Sequence, residues 1–492
     1  MTPELREVHV RLEELDNEIA GTLAHAERLR LRRTYLLVDL NRSASPLNRL
    51  PPELIGEIFL FTLPEDTHTL PNPHRSPILL THVCRLWRDI AVGLSTLWSS
   101  ICISEILHCY PKPGLLEMLE AFLIRAENAP ISMTLAPGAT QHPMPLMPMF
   151  DGSRRSELFR LARHTSARWR ELEIVRPFSD LPLLLRHDEP WDFGQLEKLT
   201  ILPTQGTRPE RGRPLKLTPL TEAQKLRDVH LSGFSPRTLL LPWWQLTNIH
   251  MENLYPVEIL DTLSCTASVV DASFSVFPSA FFHLPNTNTN DTPTGRPRAL
   301  KSLTITGENH ITPLLDHLML YPFKKFHLAF GPNNEFAPLV QFLTSFPSLT
   351  DIALEFDGAI KLPDLGACIE QMPRAQSLIL ACRNGLSNGP LPHALATNNE
   401  ILPALKSLTL IEHVDRYNEP PVDTSMLAEM LRARWGQGLK EFRLSTTQAM
   451  FTSEQMAQFV DLAKAGMKVK IQSHGSGPFL KVWFDSDIAK QW

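Results

Sequence analysis

Leu300-Lys-Ser-Leu-Thr-Ile305 and Leu405-Lys-Ser-Leu-Thr-Leu410 are spelled alike: apolar, two variable residues, apolar, one variable residue, apolar. The last three positions alternate, which is the period of a strand with one buried face. The same spelling occurs at Trp169/Leu172/Ile174, Leu196/Leu199/Ile201, Leu226/Val229/Leu231, Leu246/Ile249/Met251, Ala267/Val270/Ala272, Phe323/Phe326/Leu328, Leu349/Ile352/Leu354, Ala375/Leu378/Leu380 and Leu439/Phe442/Leu444. Gly466/Val469/Ile471 reads as a frayed last copy. Copies recur at intervals of about 20 to 34 residues, around the spacing of leucine-rich repeats.

Between copies, apolar residues three and four apart predict helices over Val257–Leu263, Ile311–Leu320, Phe336–Phe346, Ser425–Trp435 and Glu454–Ala465. One strand and one helix cannot bury both their apolar faces, whereas stacked copies form a continuous core. The expected fold is therefore α/β, an irregular leucine-rich-repeat-like solenoid with a curved parallel sheet over 166–474 and a tail over 475–492. A doubly wound enzyme also alternates strands and helices, but no GxGxxG or GxxxxGK[ST] follows any of these strands. No repeat carries the Asn that regular leucine-rich repeats place after the last strand residue.

Upstream, the text changes. From Leu5 to Leu40 apolar residues fall at Leu5, Val8, Leu12, Leu15, Ile19, Ala26, Leu29, Leu36 and Leu40, a heptad-like seam interrupted at Thr22 and Arg33. Residues 1–45 are thus an amphipathic helix that either packs on the rest of the chain or self-associates weakly through residues 5–40. Ser43-Ala-Ser45-Pro46 stops it. Residues 46–103 form a second module of helices around a surface loop, Pro64–Pro77, that holds four prolines. Residues 104–165 connect it to the repeats through helix and strand.

At 492 residues and 43% hydrophobic, the chain exceeds one ordinary core, in keeping with modules plus a repeat array. Basic and acidic residues, 48 and 53, nearly balance, so no global charge draws it to nucleic acid or to an anionic membrane. Six scattered cysteines without a CxxC pair, and no apolar run long enough to span a bilayer, predict a cytoplasmic or nuclear protein.

Leu50-Pro-Pro-Glu-Leu-Ile-Gly-Glu-Ile-Phe59, Val83-Cys-Arg-Leu-Trp-Arg88 and Leu97-Trp98 together resemble the F-box motif, with its LPxE opening, VCRxWR centre and LW close. The physical reading agrees. Pro51 and Pro52 suit a helix start, and Leu54, Ile55, Ile58 and Phe59 make an apolar stripe behind them. The order Ser-Pro-Leu-x-Arg-Leu-Pro-Pro-Glu over 45–53, the long loop, Leu115–Ile131, Arg168-Trp169 and Leu241-Pro-Trp-Trp-Gln-Leu246 are similar to F-box proteins abundant in mushroom-forming fungi. That resemblance implies a non-enzymatic substrate-recognition adaptor of an SCF-type cullin-RING ubiquitin ligase, without cofactor. Leu50, Pro51, Pro52, Glu53, Ile58, Val83, Trp87 and Trp98 would bind the Skp-type adaptor and through it a cullin. The alternative is an F-box/repeat scaffold that joins no ligase.

In each strand the variable residue between the last two apolar positions points away from the core. The face so defined carries Thr200, His230, His250, Asp271, Thr304 and His327, which are the candidate contacts for a protein substrate. His230, His250 and Asp271 would stand on successive strands like a two-histidine, one-carboxylate metal set, but His230 and Asp271 would be about 9.6 Å apart, so no metal is expected. Cys102, His108 and Cys109 are too crowded for zinc, and Gly475-Ser-Gly477 lacks the helix of a phosphate loop. Asn286–Pro297 and Asn384–Asn399 read as surface loops.

Overall fold

The computed structural model describes residues 3–44, 46–64, 72–104, 115–136, 163–175, 181, 191–203, 217–277, 299–307, 311–319, 321, 323–331, 335–356, 362–382, 386–387, 390–412, 422–447, 456–473 and 481–485. They fall into two compact units, Met1–Cys102 with Gly114–Pro130, and Ile103–Pro113 with Ile131–Trp492.

In the first unit, helix α1 spans Pro3–Ala44. Every side chain from Arg6 to Leu37 is exposed, including the seam residues Leu12, Leu15, Ile19 and Leu29. Helix α2 (Pro52–Leu60) begins where Pro51 is extended and Pro52 needs no amide partner, with Glu53 in the positive first turn. Thr62 Oγ1 and Ser76 Oγ lie 2.7 Å apart and hold together the two ends of the proline-rich insertion. Helices α3 (Leu80–Val83) and α4 (Arg85–Gly93) follow, and Cys84 between them is extended, its Sγ accepting from the Trp87 amide. Arg88 Nε donates to Thr81 O at 2.7 Å, fastening α4 to α3.

Trp98, in the 3-10 turn Ser95–Trp98, is fully buried and donates Nε1–H to Ala91 O at 2.7 Å. Strand β1 (Ser100–Ser104) comes next. Helix α5 (Leu115–Arg125) returns to the same core, placing Phe122 edge-on to Trp98 at 4.9 Å and the Arg125 guanidinium 4.3 Å from the Trp98 ring. Residues 115–125, expected in the connecting segment, thus belong to the helical unit.

The second unit is built on one sheet. Its strands are β2 (Ile131–Ala136), β3 (Trp169–Val175), β4 (Lys198–Leu202), β5 (Asp228–Ser232), β6 (Asn248–Leu254), β7 (Asp271–Val276) and β8 (Ser302–Gly307). They continue as β9 (Lys325–Phe330), β10 (Asp351–Phe356), β11 (Ser377–Cys382), β12 (Ser407–Glu412), β13 (Glu441–Thr446), β14 (Lys468–Ser473) and β15 (Lys481–Asp485). From β2 to β14 each strand pairs parallel with the next in chain order. β15 turns back antiparallel on β14. In the second unit these strands therefore begin at 131, ahead of the expected 166, and residues 481–485 of the expected tail form the last of them.

Helices fill the intervals: α6 (Thr218–Thr221), α7 (Pro256–Cys265), α8 (Thr312–Leu318), α9 (Phe336–Ser345), α10 (Leu362–Glu370), α11 (Pro390–Thr397), α12 (Thr424–Trp435) and α13 (Val460–Lys464). Their starts have local causes. Glu258 accepts from the Tyr255 amide at 2.8 Å at the head of α7, and Asp423 Oδ1 accepts from Ser425 and Met426 at the head of α12. The helices pack on the sheet's apolar face, as where Phe326 of β9 meets Phe342 of α9 at 4.8 Å.

α11 corrects the loop reading of Asn384–Asn399. Pro390 and Pro392 fall in its first turn, where proline is tolerated, and Leu391 and Leu395, four apart, are buried. Arg434 of α12, 2% exposed, gives α11 its C-terminal cap, donating from Nε to Leu395 O at 2.6 Å and from Nη2 to Asn398 O at 2.8 Å. Burial pulls the Arg434 pKa down. Asn286–Pro297 lies outside the described residues.

Candidate functional site

On the sheet, pairing aligns one outward row from Thr134 through Glu173, Thr200, His230, His250, Ser273, Thr304 and His327 to Lys470. Five of the six candidate substrate contacts lie in it. The sixth, Asp271, does not: it pairs with Asn248, and Ser273 stands beside His250. The apolar triple of this strand is Val269/Ala272/Phe274, two residues beyond the expected one, because Ala272 aligns with Ile249 and Phe274 with Met251. Two adjacent valines, Val269 and Val270, made either register readable, and burial selects Val269. Thr200 is on the row but buried at 8% exposure, so it offers little to a ligand.

His230 and His250 are direct cross-strand neighbours, with ring centroids 4.2 Å apart and planes nearly perpendicular. Glu252 joins them. Its Oε1 is 3.1 Å from His230 Nε2 and 3.3 Å from His250 Nε2; His230 and Glu252 are half-buried and His250 is exposed. Directly after Glu252 the β6 ladder is broken by a bulge, where Asn253 takes φ 58 and donates Nδ2–H to Ser232 Oγ at 2.8 Å. Glu252 escaped the sequence reading because that reading took one outward position per strand, and Glu252 is the next one along from His250. Farther on, His327 Nε2 lies 3.1 Å from Glu355 Oε1 across β9 and β10.

The helical unit presents a different surface. Of the residues expected to meet an adaptor, Pro51, Pro52 and Glu53 are exposed, Ile58 and Val83 are 41% and 54% exposed, and Leu50 is half-buried. Trp87 is half-buried with its ring 5.0 Å from Phe59. Trp98 is a core residue and reaches no surface. The apolar residues of α2 divide between two faces: Ile55 and Phe59 turn inward, Leu54 and Ile58 outward. Leu79 and Leu86 join Ile58 among the exposed apolar side chains of these helices and were not expected as contacts. A stripe four residues wide on a nine-residue helix signals two apolar faces rather than one.

His74, in the inserted loop, and His82, beside it, are exposed. His68, His108, Cys109 and Gly475–Gly477 lie outside the described residues. No helix among the described residues is long and apolar enough to cross a membrane. Compared with known proteins, the chain matches no family model and no curated protein.

Proposed function

We propose that the chain is an F-box substrate-recognition adaptor of an SCF-type cullin-RING ubiquitin ligase. In this reading the helical unit holds a Skp-type adaptor and through it a cullin, the sheet is an irregular leucine-rich-repeat solenoid, and its outward row receives a protein substrate in the cytosol or nucleus. The observation that carries it is the division of labour within the motif helices. Ile55, Phe59 and Trp98 form the core, while Leu54, Ile58, Val83 and Leu86 remain in water. Fully burying one such side chain is worth about 1.5–3 kcal/mol, so four together supply an apolar centre for a partner.

The chain's part in the reaction is proximity. Holding a substrate lysine near a charged ubiquitin carrier raises its effective concentration, and the bond-making groups belong to other subunits. The test is co-purification of the full chain with a Skp-type adaptor and a cullin. Ile58→Asp with Val83→Asp places charge at two exposed positions, so stability should change by about 0.5 kcal/mol or less per site in urea titration. Capture of both partners should be lost. Absence of capture by the wild type, or equal capture by the variant, removes the ligase reading; capture of the Skp-type adaptor without cullin selects the scaffold.

A further inference from the structure

We propose that His230, His250 and Glu252 form a binding site for a divalent cation of the zinc class, on the outward face of β5 and β6. The three ligating atoms come from adjacent strands and lie within 4.8 Å of one another. Both imidazole Nε2 atoms converge on a single carboxylate oxygen, at 3.1 and 3.3 Å. Zinc binds nitrogen and oxygen at about 2.0–2.1 Å, which sets the edges of a tetrahedral ligand set at roughly 3.3 Å. The two His–Glu edges already have that length. The His230–His250 edge, at most 4.8 Å, closes by a small rotation of the half-exposed His250 ring.

The scaffold favours preorganisation. Cross-strand pairing fixes the two histidines opposite each other, and ligands on strands are held more firmly than ligands on loops. The bulge after Glu252 is anchored by the Asn253–Ser232 hydrogen bond, which holds the backbone from which the carboxylate extends. Two imidazoles and a carboxylate suit zinc and its neighbours in the Irving–Williams order better than calcium or magnesium, which prefer all-oxygen sets. Three protein ligands leave a coordination position for water. This site stands apart from the ligase reading and survives its failure.

The experiment titrates the full, metal-stripped chain with Co2+ and then Zn2+, beside His250→Ala and Glu252→Gln variants whose circular dichroism matches the wild type. The expected result is one equivalent of Co2+ giving visible d–d bands without a thiolate charge-transfer band, displaced by Zn2+. Each variant should weaken binding by more than the about 10–100-fold typical of losing an outer-sphere partner. The proposal is overturned if the wild type binds no Co2+ at micromolar concentration, if both variants bind as the wild type does, or if thiolate bands dominate. In the first case the cluster is a hydrogen-bonded trio only, and in the others the metal sits elsewhere.

Discussion

Trp98 illustrates how a motif residue acts through the fold. It closes the LW element, yet its indole is enclosed by Phe122 and Arg125, and its one polar atom is spent on Ala91 O. A buried indole with a satisfied N–H is a structural centre, and the exposed residues around it owe their positions to it. Cys368 of α10 is the comparable case in the sheet unit. It is fully buried, and desolvation, aided by the neighbouring Asp364 charge, pushes its thiol up to about 12. An unfolded chain releases that proton near 9.0, so the folded state holds one more proton between the two values. Stability from this group is complete below about pH 9 and declines as pH rises toward 12. The slope of unfolding free energy against pH over that window should flatten in Cys368→Ala relative to the wild type. Alkylation at about pH 8 should label exposed Cys265 well before buried Cys368 in native protein.

Among the elements, β8 ends at Gly307, where a Cβ would come within 2.8 Å of Val276 Cβ on β7. Both atoms belong to short, rigid groups in a paired sheet, so neither can move aside cheaply. Gly307→Ala should cost about 1–3 kcal/mol in denaturant unfolding. The strands themselves were legible in the sequence because buried and outward residues alternate with period two, and the expected triples fall on β3–β6 and β8–β14. Only β7 was misregistered, since Val269 and Val270 are both apolar and the outcome depends on pairing with β6. β2 was not read as a copy because Pro130 stands where the repeat's first apolar residue would fall, whereas Phe479/Val482/Phe484 spells the repeat at β15 and was passed over, this strand running antiparallel to its neighbour. α11 was hidden by its prolines. At the candidate site, the histidines were readable from strand phase, and Glu252, two residues past His250 on the same face, was passed over because one outward position was taken per strand.

At the scale of the whole molecule, the seam of α1 leaves a long run of apolar side chains in water. Leu12, Leu15, Ile19, Leu29, Leu36 and Leu40 are each more than half exposed on a helix of 42 residues. Isolated helices in water are rarely stable without a packed face, so a second copy is the natural cover. Sedimentation of the full chain should give a concentration-dependent rise in mass that disappears in Leu15→Lys with Ile19→Lys. A monomer at every concentration would leave the seam without a self-partner.

The outward row of the sheet has one more consequence. Neighbouring members are 20 residues apart in sequence at His230 and His250 but 39 apart at Thr134 and Glu173, yet each pair aligns across adjacent strands. The lateral step stays at about 4.8 Å whatever the length of the link. Lengthening a link costs little, about 0.6 kcal/mol for each doubling. The face is in effect a ruler of fixed pitch threaded on cords of free length: sequence can be spliced into the cords, by evolution or by hand, without shifting any mark on the scale.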